Sequence, residues 1–430
     1  MNAFGFLRTE ALSLLTRLRQ LSPFSLVMPM TPAATIGQVA MESIDRHLEK
    51  AKTDLQQSVR QFVLWLEKAG KQGVTAEEAQ ARFALLKIRF NQILDQLDIF
   101  ADVLSQRSEH HTGVWVAGLD ALAEEALRLP LRLYDPPPVV CFLDRGHGAA
   151  IRRARTRLPG GDSNPVAVIQ VPRERMVGSG IGASLIHEVG HQGATLLSLV
   201  ETLQPELKQA RQRDPTRAKA WDMYSRWISE IVADVWAMGH LGIGATVGLM
   251  GVVSLPRYFV FRMLGDDPHP FPWIRVMLSL SFGRLLYPHP QWAALEKTWL
   301  SMYPPRGLPP ESAELIRQLQ ETMPAFVRLV AGHRTKNTDN RRFADILPQK
   351  LRQPARLLEL FRRWQAAPDA WLLQAPSLVF AVVGQARYAG LLAPQAENQL
   401  LVRCLTHWAK RQRAPLPKNN PVKARTLVHQ

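Results

Sequence analysis

Apolar residues recur at helical spacing through the first third of the chain. Between positions 35 and 69 they return at steps that keep them on one side of a helix, at Ile44, Leu48, Leu55, Val59, Phe62 and Leu66. A second segment of this kind starts at Thr75, where Thr75 and Glu78 can form a capping box, and runs towards Gln106; 112–129 makes a third. The pattern predicts a helical N-terminal region whose apolar stripes form core rather than a binding surface.

The pattern changes after three consecutive prolines at 136–138. Two short runs rich in β-branched residues, 139–143 and 166–171, predict strands. An apolar segment around 180–200 predicts a buried helix, and 218–239 predicts another with an apolar stripe on one side. The chain is therefore expected to be mainly α with a short β-sheet, flanked by helical N- and C-terminal regions. The expected boundaries are 1–134, 135–305 and 306–430.

One stretch has the length and composition of a membrane span. The 22 residues 235–256 carry no formal charge, and Gly244 and Gly248 have the spacing of a close-packing motif. However, the stretch holds five glycines, His240 and Pro256, and its first turns continue the helix predicted over 218–239. We therefore expect a buried helix pair in the protein core, with membrane insertion as the alternative.

Composition and charge narrow the class of protein. The chain has 430 residues, of which 46% are apolar, which is enough for a sizeable core and for two or three domains. Cys141 and Cys404 are the two cysteines and lie far apart in sequence, so no disulfide framework is indicated. The N-terminus interrupts its apolar runs with arginines and shows no secretory signal. A cytoplasmic protein is expected.

The net charge of +16 is concentrated near the C-terminus, because 331–430 holds 17 Lys and Arg against 5 Asp and Glu. Apolar patterns around 357–361 and 400–405 predict that most of this region is helical, with 410–430 as a flexible basic tail. A solvated basic face is the first interpretation. An acidic partner or an anionic surface is the alternative, and no signature of a nucleic-acid-binding module is present.

The segment from His187 to His191, His-Glu-Val-Gly-His, carries the most specific chemical signal. On a helix, His187 and His191 lie on one face and can offer two imidazole nitrogens to one Zn²⁺. Glu188 then lies beside them, where a carboxylate can accept a proton from a water molecule that the metal activates. A surface helix with incidental His and Glu fits poorly, since Glu188 is the only acidic or basic residue, His aside, from 176 to 200.

Glu230 and Asp234 lie four residues apart on the helix predicted over 218–239. With this pair the chain resembles the gluzincin metallopeptidases, in which an HExxH helix is followed by a helix carrying ExxxD. The resemblance implies a zincin-like catalytic domain at 135–305 in which Glu230 is the third zinc ligand. It further implies that Asp234 accepts the outer N–H of His187 and so orients this ligand. Read without the resemblance, Glu230 and Asp234 are an ordinary pair of helix-surface acids.

The chain departs from the gluzincin pattern in two respects. Glu230 follows His191 by 39 positions, which is longer than in compact members, and Gly193 stands where a hydrophobic residue is usual. The long separation implies an insertion, and the charges and prolines of 201–217 predict a solvent loop or a short excursion there.

Three prolines surround His269 in the sequence Asp-Asp-Pro-His-Pro-Phe-Pro at 266–272. A similar His-Pro followed by Arg occurs in several zinc-peptidase families, which implies that His269 lines the active site or donates to an oxyanion. Alternatively, His269 caps the helix that follows. Tyr224 is a weaker donor candidate and is better explained as a core tyrosine. His147 and the pair His110 and His111 are interpreted as surface residues.

Together these features predict a zinc-dependent peptidase that hydrolyses peptide bonds of a protein or peptide substrate with Glu188 as general base. In such peptidases the edge strand of a small sheet can pair with an extended substrate. Two other classes stay open: a helical scaffold protein with a structural or vestigial metal site, and a basic protein that binds nucleic acid or a membrane surface through 331–430.

Overall fold

The computed structural model describes residues 2–69, 72–144, 149–173 and 178–411. Its helices, in chain order, are α1 (Ala3–Gln20), α2 (Phe24–Val27), α3 (Gln38–Ala69), α4 (Ala76–Ser105), α5 (His110–Leu127), α6 (Gly180–Leu196), α7 (Leu199–Arg213), α8 (Ala218–Arg226), α9 (Ile228–Leu241), α10 (Ile243–Val253), α11 (Arg257–Val260), α12 (Pro272–Leu286), α13 (Gln291–Met302), α14 (Pro310–Gly332), α15 (Phe343–Ile346), α16 (Pro354–Gln365), α17 (Pro376–Tyr388) and α18 (Pro394–Arg411). The strands are β1 (Val139–Asp144), β2 (Ala150–Arg152) and β3 (Ala167–Pro172). The prediction of a mainly α protein with a short sheet is confirmed.

The N-terminal helices follow the predicted pattern. Helices α1, α3 and α4 enclose an apolar cluster of their own, which includes Leu55, Phe62 and Phe83. The capping box at the start of α4 is present, since the Thr75 hydroxyl accepts from the Glu78 backbone N–H and the Glu78 carboxylate accepts from that of Thr75. The three helices predicted before position 130 are therefore confirmed.

The largest core cluster extends from Trp115 in α5 to Trp408 in α18 and surrounds α6 and α9. Helix α18 returns to pack on α5, where a Cβ at Gly118 would lie 2.5 Å from the Leu405 carbonyl oxygen. The helices predicted around 357–361 and 400–405 are observed as α16 and α18. Of the flexible basic tail predicted at 410–430, Lys410 and Arg411 form the end of α18, and 412–430 lie outside the described residues.

The sheet has the strand order β1-β3-β2. Strand β1 is parallel to β3, with Val139 opposite Ala167, whereas β2 is antiparallel to β3, with Ile151 opposite Ile169. The two predicted strands are confirmed as β1 and β3. The sequence analysis missed β2, because three residues are too few to show alternation.

Two local predictions are wrong. The expected solvent loop at 201–217 is helix α7 followed by a short 3₁₀ turn, because Leu199, Leu203 and Leu207 recur every four residues and are buried. The single helix expected over 218–239 is divided at Trp227, which has φ −86° and ψ 0° and separates α8 from α9.

The uncharged stretch 235–256 forms the end of α9 and all of α10. Gly242 lies at the bend between the two helices. Its φ of 57° is a backbone conformation that residues other than glycine rarely adopt. The predicted helix pair is thus observed. Among the helices of the described residues, none combines the length and apolar character needed to cross a membrane.

Helices α6 and α9 approach each other closely because α6 carries glycines at the contact. A Cβ on Gly190 would lie 2.9 Å from Ala233 Cα, and one on Gly193 would lie 2.4 Å from the Trp236 ring. The glycine at 193, where the gluzincin pattern has a hydrophobic residue, is therefore explained by the Trp236 ring that occupies the space of a side chain.

We predict that Gly193→Ala destabilises the protein by about 1 to 3 kcal/mol, because the added methyl overpacks the contact with Trp236. Gly251→Ala is the matched control, since Gly251 is also helical and a Cβ there would meet nothing within 4 Å. That control is expected to gain up to about 1 kcal/mol from helix propensity. Urea denaturation followed by circular dichroism measures both, and equal stability of Gly193→Ala and wild type would refute the packing argument.

A second prediction concerns His240, which is buried at the end of α9 with Nδ1 2.9 Å from the Trp236 carbonyl oxygen. Burial lowers the pKa of His240 to about 3. The unfolded chain therefore binds a proton that the folded protein does not, and stability falls as pH drops below about 6.5, by at most roughly 1.4 kcal/mol per pH unit. His240→Asn should flatten this fall in urea midpoints measured from pH 7 to 4; an unchanged slope would contradict the assignment.

Candidate metal centre

Helix α6 presents His187 and His191 on one face, with ring centroids 4.8 Å apart and ring planes nearly perpendicular. Helix α9 brings Glu230 against them, so that Oε2 lies 3.2 Å from His187 Nε2 and Oε1 lies 3.3 Å from His191 Nε2. One potential ligand atom from each residue lies within 4.8 Å of the others. The structure therefore brings the three predicted ligands together.

The outer nitrogens of both imidazoles have partners. His187 Nδ1 lies 2.8 Å from Asp234 Oδ1, and His191 Nδ1 lies 3.3 Å from the Ser229 hydroxyl. These contacts direct the Nε2 atoms of both rings towards Glu230. Asp234 thus occupies the orienting position that the resemblance implies.

Arg275 on α12 holds Asp234 from the other side. Its Nε donates to Asp234 Oδ2 at 2.7 Å and its Nη2 to Oδ1 at 2.9 Å, a paired geometry that fixes the carboxylate plane. The same guanidinium lies 3.5 Å from Glu230 Oε2. The chain of contacts from His187 through Asp234 to Arg275 therefore joins α6, α9 and α12.

The site residues have strongly shifted pKa values. Burial opposes ionisation of Glu230, but hydrogen bonds from His187 and His191 outweigh it and hold the pKa of Glu230 well below its usual range. Burial likewise raises the pKa of Asp234, while the charges of Arg275 and His187 bring it down to about 2. Burial lowers the pKa of His187, but the carboxylates of Asp234 and Glu230 raise it to about 9.

These residues fit a divalent cation. Two imidazole nitrogens and one carboxylate oxygen are a donor set that proteins use for catalytic Zn²⁺. The carboxylates of Glu188, Glu230 and Asp234, when ionised, exceed the single charge of Arg275 by two, and buried charge of this kind requires compensation. The same carboxylates raise the pKa of His187, because a proton on its ring places a positive charge beside them.

Glu188 is buried, with 7% of its surface exposed, and lines the same cavity as the three ligands. Burial raises its pKa, against the opposing effect of His187 and His191. A carboxyl group of raised pKa, placed beside the candidate metal centre and outside the three residues that could bind the ion, has properties suited to a general base.

His269 lies between α11 and α12 and lines the cavity, although it is 53% exposed. Its Nε2 lies 3.6 Å from Glu230 Oε2, and its Nδ1 lies 2.9 Å from Asp267 Oδ1. That carboxylate oxygen also accepts the His269 backbone N–H at 2.9 Å. The alternative that His269 caps α12 is wrong, since the residue before this helix is Phe271 and makes no side-chain cap.

The other singled-out residues lie elsewhere or are not described. The Tyr224 hydroxyl donates to the Leu319 carbonyl at 2.6 Å and its ring stacks on Phe326, so the interpretation as a core tyrosine is confirmed. His147 and the side chain of His110 fall outside the described residues. The sequence analysis gave no role to Ser229, Asp267 or Arg275. Arg275 had a usable signal, because it is the only charged residue in 272–283.

The cavity has a volume of about 580 Å³ and is lined by both polar and apolar side chains. The polar ones include the residues of the candidate metal centre. The apolar ones include Ala245, Leu249 and Val252 of α10, which recur at steps of four and three and so share one helix face. Ala150 and Ile151 of β2 line the cavity as well. The cavity can therefore hold a molecule with apolar groups next to the polar cluster.

Comparison with known proteins yields no match: no family model fits the chain, and neither curated proteins nor solved structures resemble it significantly.

We predict that Arg275→Gln and Asp234→Ala each weaken zinc affinity, by roughly 10- to 100-fold, because the orientation of His187 is lost. The measurement is a zinc titration against a competing chelator. Arg317→Gln is the control, since Arg317 pairs with Glu314 and Glu321 on an exposed helix face. Wild-type affinity in both site variants would show that Asp234 and Arg275 do not support the metal centre.

Proposed function

We propose that the protein is a zinc-dependent peptidase with a zincin-like catalytic domain. The observation that carries the proposal is the convergence of His187, His191 and Glu230 within 4.8 Å, with Glu188 in the same cavity. His187, His191 and Glu230 would hold the metal, which when bound supplies Lewis-acid chemistry towards a carbonyl group and a water molecule.

The protein's own residues would perform the proton transfers. Glu188 accepts a proton from the attacking water and returns it to the amine that leaves when the peptide bond breaks. His269 Nδ1 donates to Asp267, which orients the ring, and with both ring nitrogens protonated Nε2–H donates towards the oxygen on which negative charge develops. Asp234 and Arg275 keep His187 in place throughout.

The sheet supports the choice of an extended polypeptide as substrate. Strand β2 ends the three-stranded sheet, and its residues Ala150 and Ile151 line the cavity. Within the described residues, no strand pairs with the outer edge of β2. A peptide added there would form main-chain hydrogen bonds while its scissile bond faces Glu188.

The decisive test is Glu188→Gln. We expect this variant to retain stoichiometric zinc and to lose hydrolysis of unfolded, dye-labelled casein by at least about 100-fold, because a neutral amide cannot accept the proton. His187→Ala and Glu230→Ala should lose both metal and activity. Metal analysis and fluorescence release on the same preparations give the two readouts.

Each outcome separates the proposal from its alternatives. Bound zinc with no hydrolysis in wild type would indicate a structural metal site in a scaffold protein. Turnover retained in Glu188→Gln would remove Glu188 from the role of base. If the wild type binds no zinc, and mutating Glu230 changes neither metal content nor hydrolysis, Glu230 and Asp234 are an ordinary acidic pair.

A further inference from the structure

The cavity contains an arginine that the chemistry proposed above does not use. Of the described residues that line the cavity, Arg153 and Arg275 are the two arginines, and Arg275 is paired with Asp234. Arg153 directly follows β2 and is exposed. It forms no ion pair with a carboxylate of the described residues. The cavity therefore has a cation without a carboxylate partner at a position that solvent reaches.

Two hydrogen bonds to α6 fix the position of Arg153. Its Nη1 donates to the Thr195 hydroxyl at 2.7 Å, and the backbone N–H of the next residue, Ala154, donates to Gln192 Oε1 at 2.8 Å. The Thr195 hydroxyl in turn donates to the His191 carbonyl at 2.9 Å. Because the same helix carries the candidate metal ligands, the guanidinium is held at a defined place relative to the metal centre.

The guanidinium of Arg153 keeps donors for a ligand. A guanidinium presents several N–H donors in one plane, and the hydrogen bond to Thr195 uses one nitrogen. Among the described residues, no further side-chain hydrogen bond of Arg153 is observed. Two N–H groups in this planar arrangement match the two oxygens of a carboxylate. Arg153 is therefore suited to bind a carboxylate that enters the cavity.

The segment around Arg153 is basic. Between Asp144 and Asp162 the chain holds five arginines and no acidic residue. Four of these arginines lie in the described part of the segment and are exposed, namely Arg152, Arg153, Arg155 and Arg157. Arg155 contacts the backbone carbonyl of Asp135, at 3.5 Å. A basic segment beside the cavity attracts acidic molecules towards it.

The spacing along α6 relates Arg153 to the position of the scissile bond. Thr195 lies four residues beyond His191, which is about 6 Å along the helix axis. An extended peptide covers about 3.3 Å per residue, so a carboxylate bound by Arg153 would lie roughly two residues from the carbonyl group at the metal centre. A peptide on the outer edge of β2 would pass Arg153, because Arg153 directly follows that strand.

We propose that Arg153 binds a carboxylate of the polypeptide in the cavity and so gives the site a preference for acidic peptides. The inference rests on the proposed peptidase function for the kind of molecule that is bound. The carboxylate can belong to an Asp or Glu side chain or to the C-terminus of the peptide, since both present the same two oxygens. A bound side chain would direct internal cleavage, whereas a bound terminus would direct removal of short C-terminal fragments.

The test is the binding of short dye-labelled peptides, measured by fluorescence anisotropy at physiological ionic strength. The full chain carries Glu188→Gln, so that the peptides stay intact. The glutamate peptide alternates Val and Glu and ends in an amide, and the glutamine peptide has Gln in place of Glu. A third peptide is the glutamine peptide with a free C-terminal carboxylate. We expect the glutamate peptide, the third peptide or both to bind more tightly than the glutamine peptide, and the third peptide reports whether the terminus is sufficient.

Arg153→Gln should weaken binding of the preferred peptide by about three- to tenfold and leave binding of the glutamine peptide unchanged. Arg153→Glu should invert the preference. Arg157→Gln is the matched control, because Arg157 is exposed in the same basic segment but does not line the cavity. This control removes the same charge and should bind all three peptides like the parent. Circular dichroism melting checks that each variant folds.

Three results would overturn the inference: no binding of any peptide, equal binding of all three, or a carboxylate preference in Arg153→Gln that equals that of Arg157→Gln. The last result would assign the preference to the overall positive charge of the chain. The casein assay separates this inference from the proposed function. Hydrolysis without a carboxylate preference contradicts the role of Arg153 alone, whereas a preference without hydrolysis contradicts the peptidase alone.

Discussion

The close approach of α6 and α9 is the constraint on which the site depends. Gly190 and Gly193 alternate along α6 with the proposed ligands His187 and His191, and their missing side chains let Ala233 and Trp236 of α9 come within contact distance. The same register sets Glu230 and Asp234 beside the two imidazoles. Ligand geometry and core packing are therefore one feature, and widening the helix contact by a methyl group would also move the carboxylates.

Buried charge is the second constraint, and it links the centre to the helices around it. Asp234 would be costly to bury alone, and Arg275 reaches it from α12 with two hydrogen bonds. Removing Arg275 leaves Asp234 with His187 as its remaining partner, and removing Asp234 leaves the Arg275 guanidinium with Glu230. A cation bound at the proposed centre would offset part of the same negative charge, so we expect the packing of α12 on α9 and the occupancy of the centre to influence each other.

The parts of the site that could be predicted from the sequence are those whose residues lie a few positions apart in one helix. His187, Glu188 and His191 form one motif, Glu230 and Asp234 another, and the structure places both in one cavity. Arg275 was missed because its partner lies 41 positions away and no spacing rule connects them. Helix α7 was missed because the charges and prolines of 201–217 masked a buried leucine at every fourth position, which is the feature that decides helix packing.

The order of elements along 228–275 explains why the chain carries so long an uncharged stretch. Helix α9 supplies Glu230 and Asp234, the bend at Gly242 turns the chain back, and α10 then lays Leu249 and Val252 against the cavity. The part of α9 beyond Asp234 and most of α10 are buried, so charged residues are excluded from this stretch. Charge returns at Arg257, where the chain reaches the surface, and next enters the interior at Arg275, where Asp234 neutralises it.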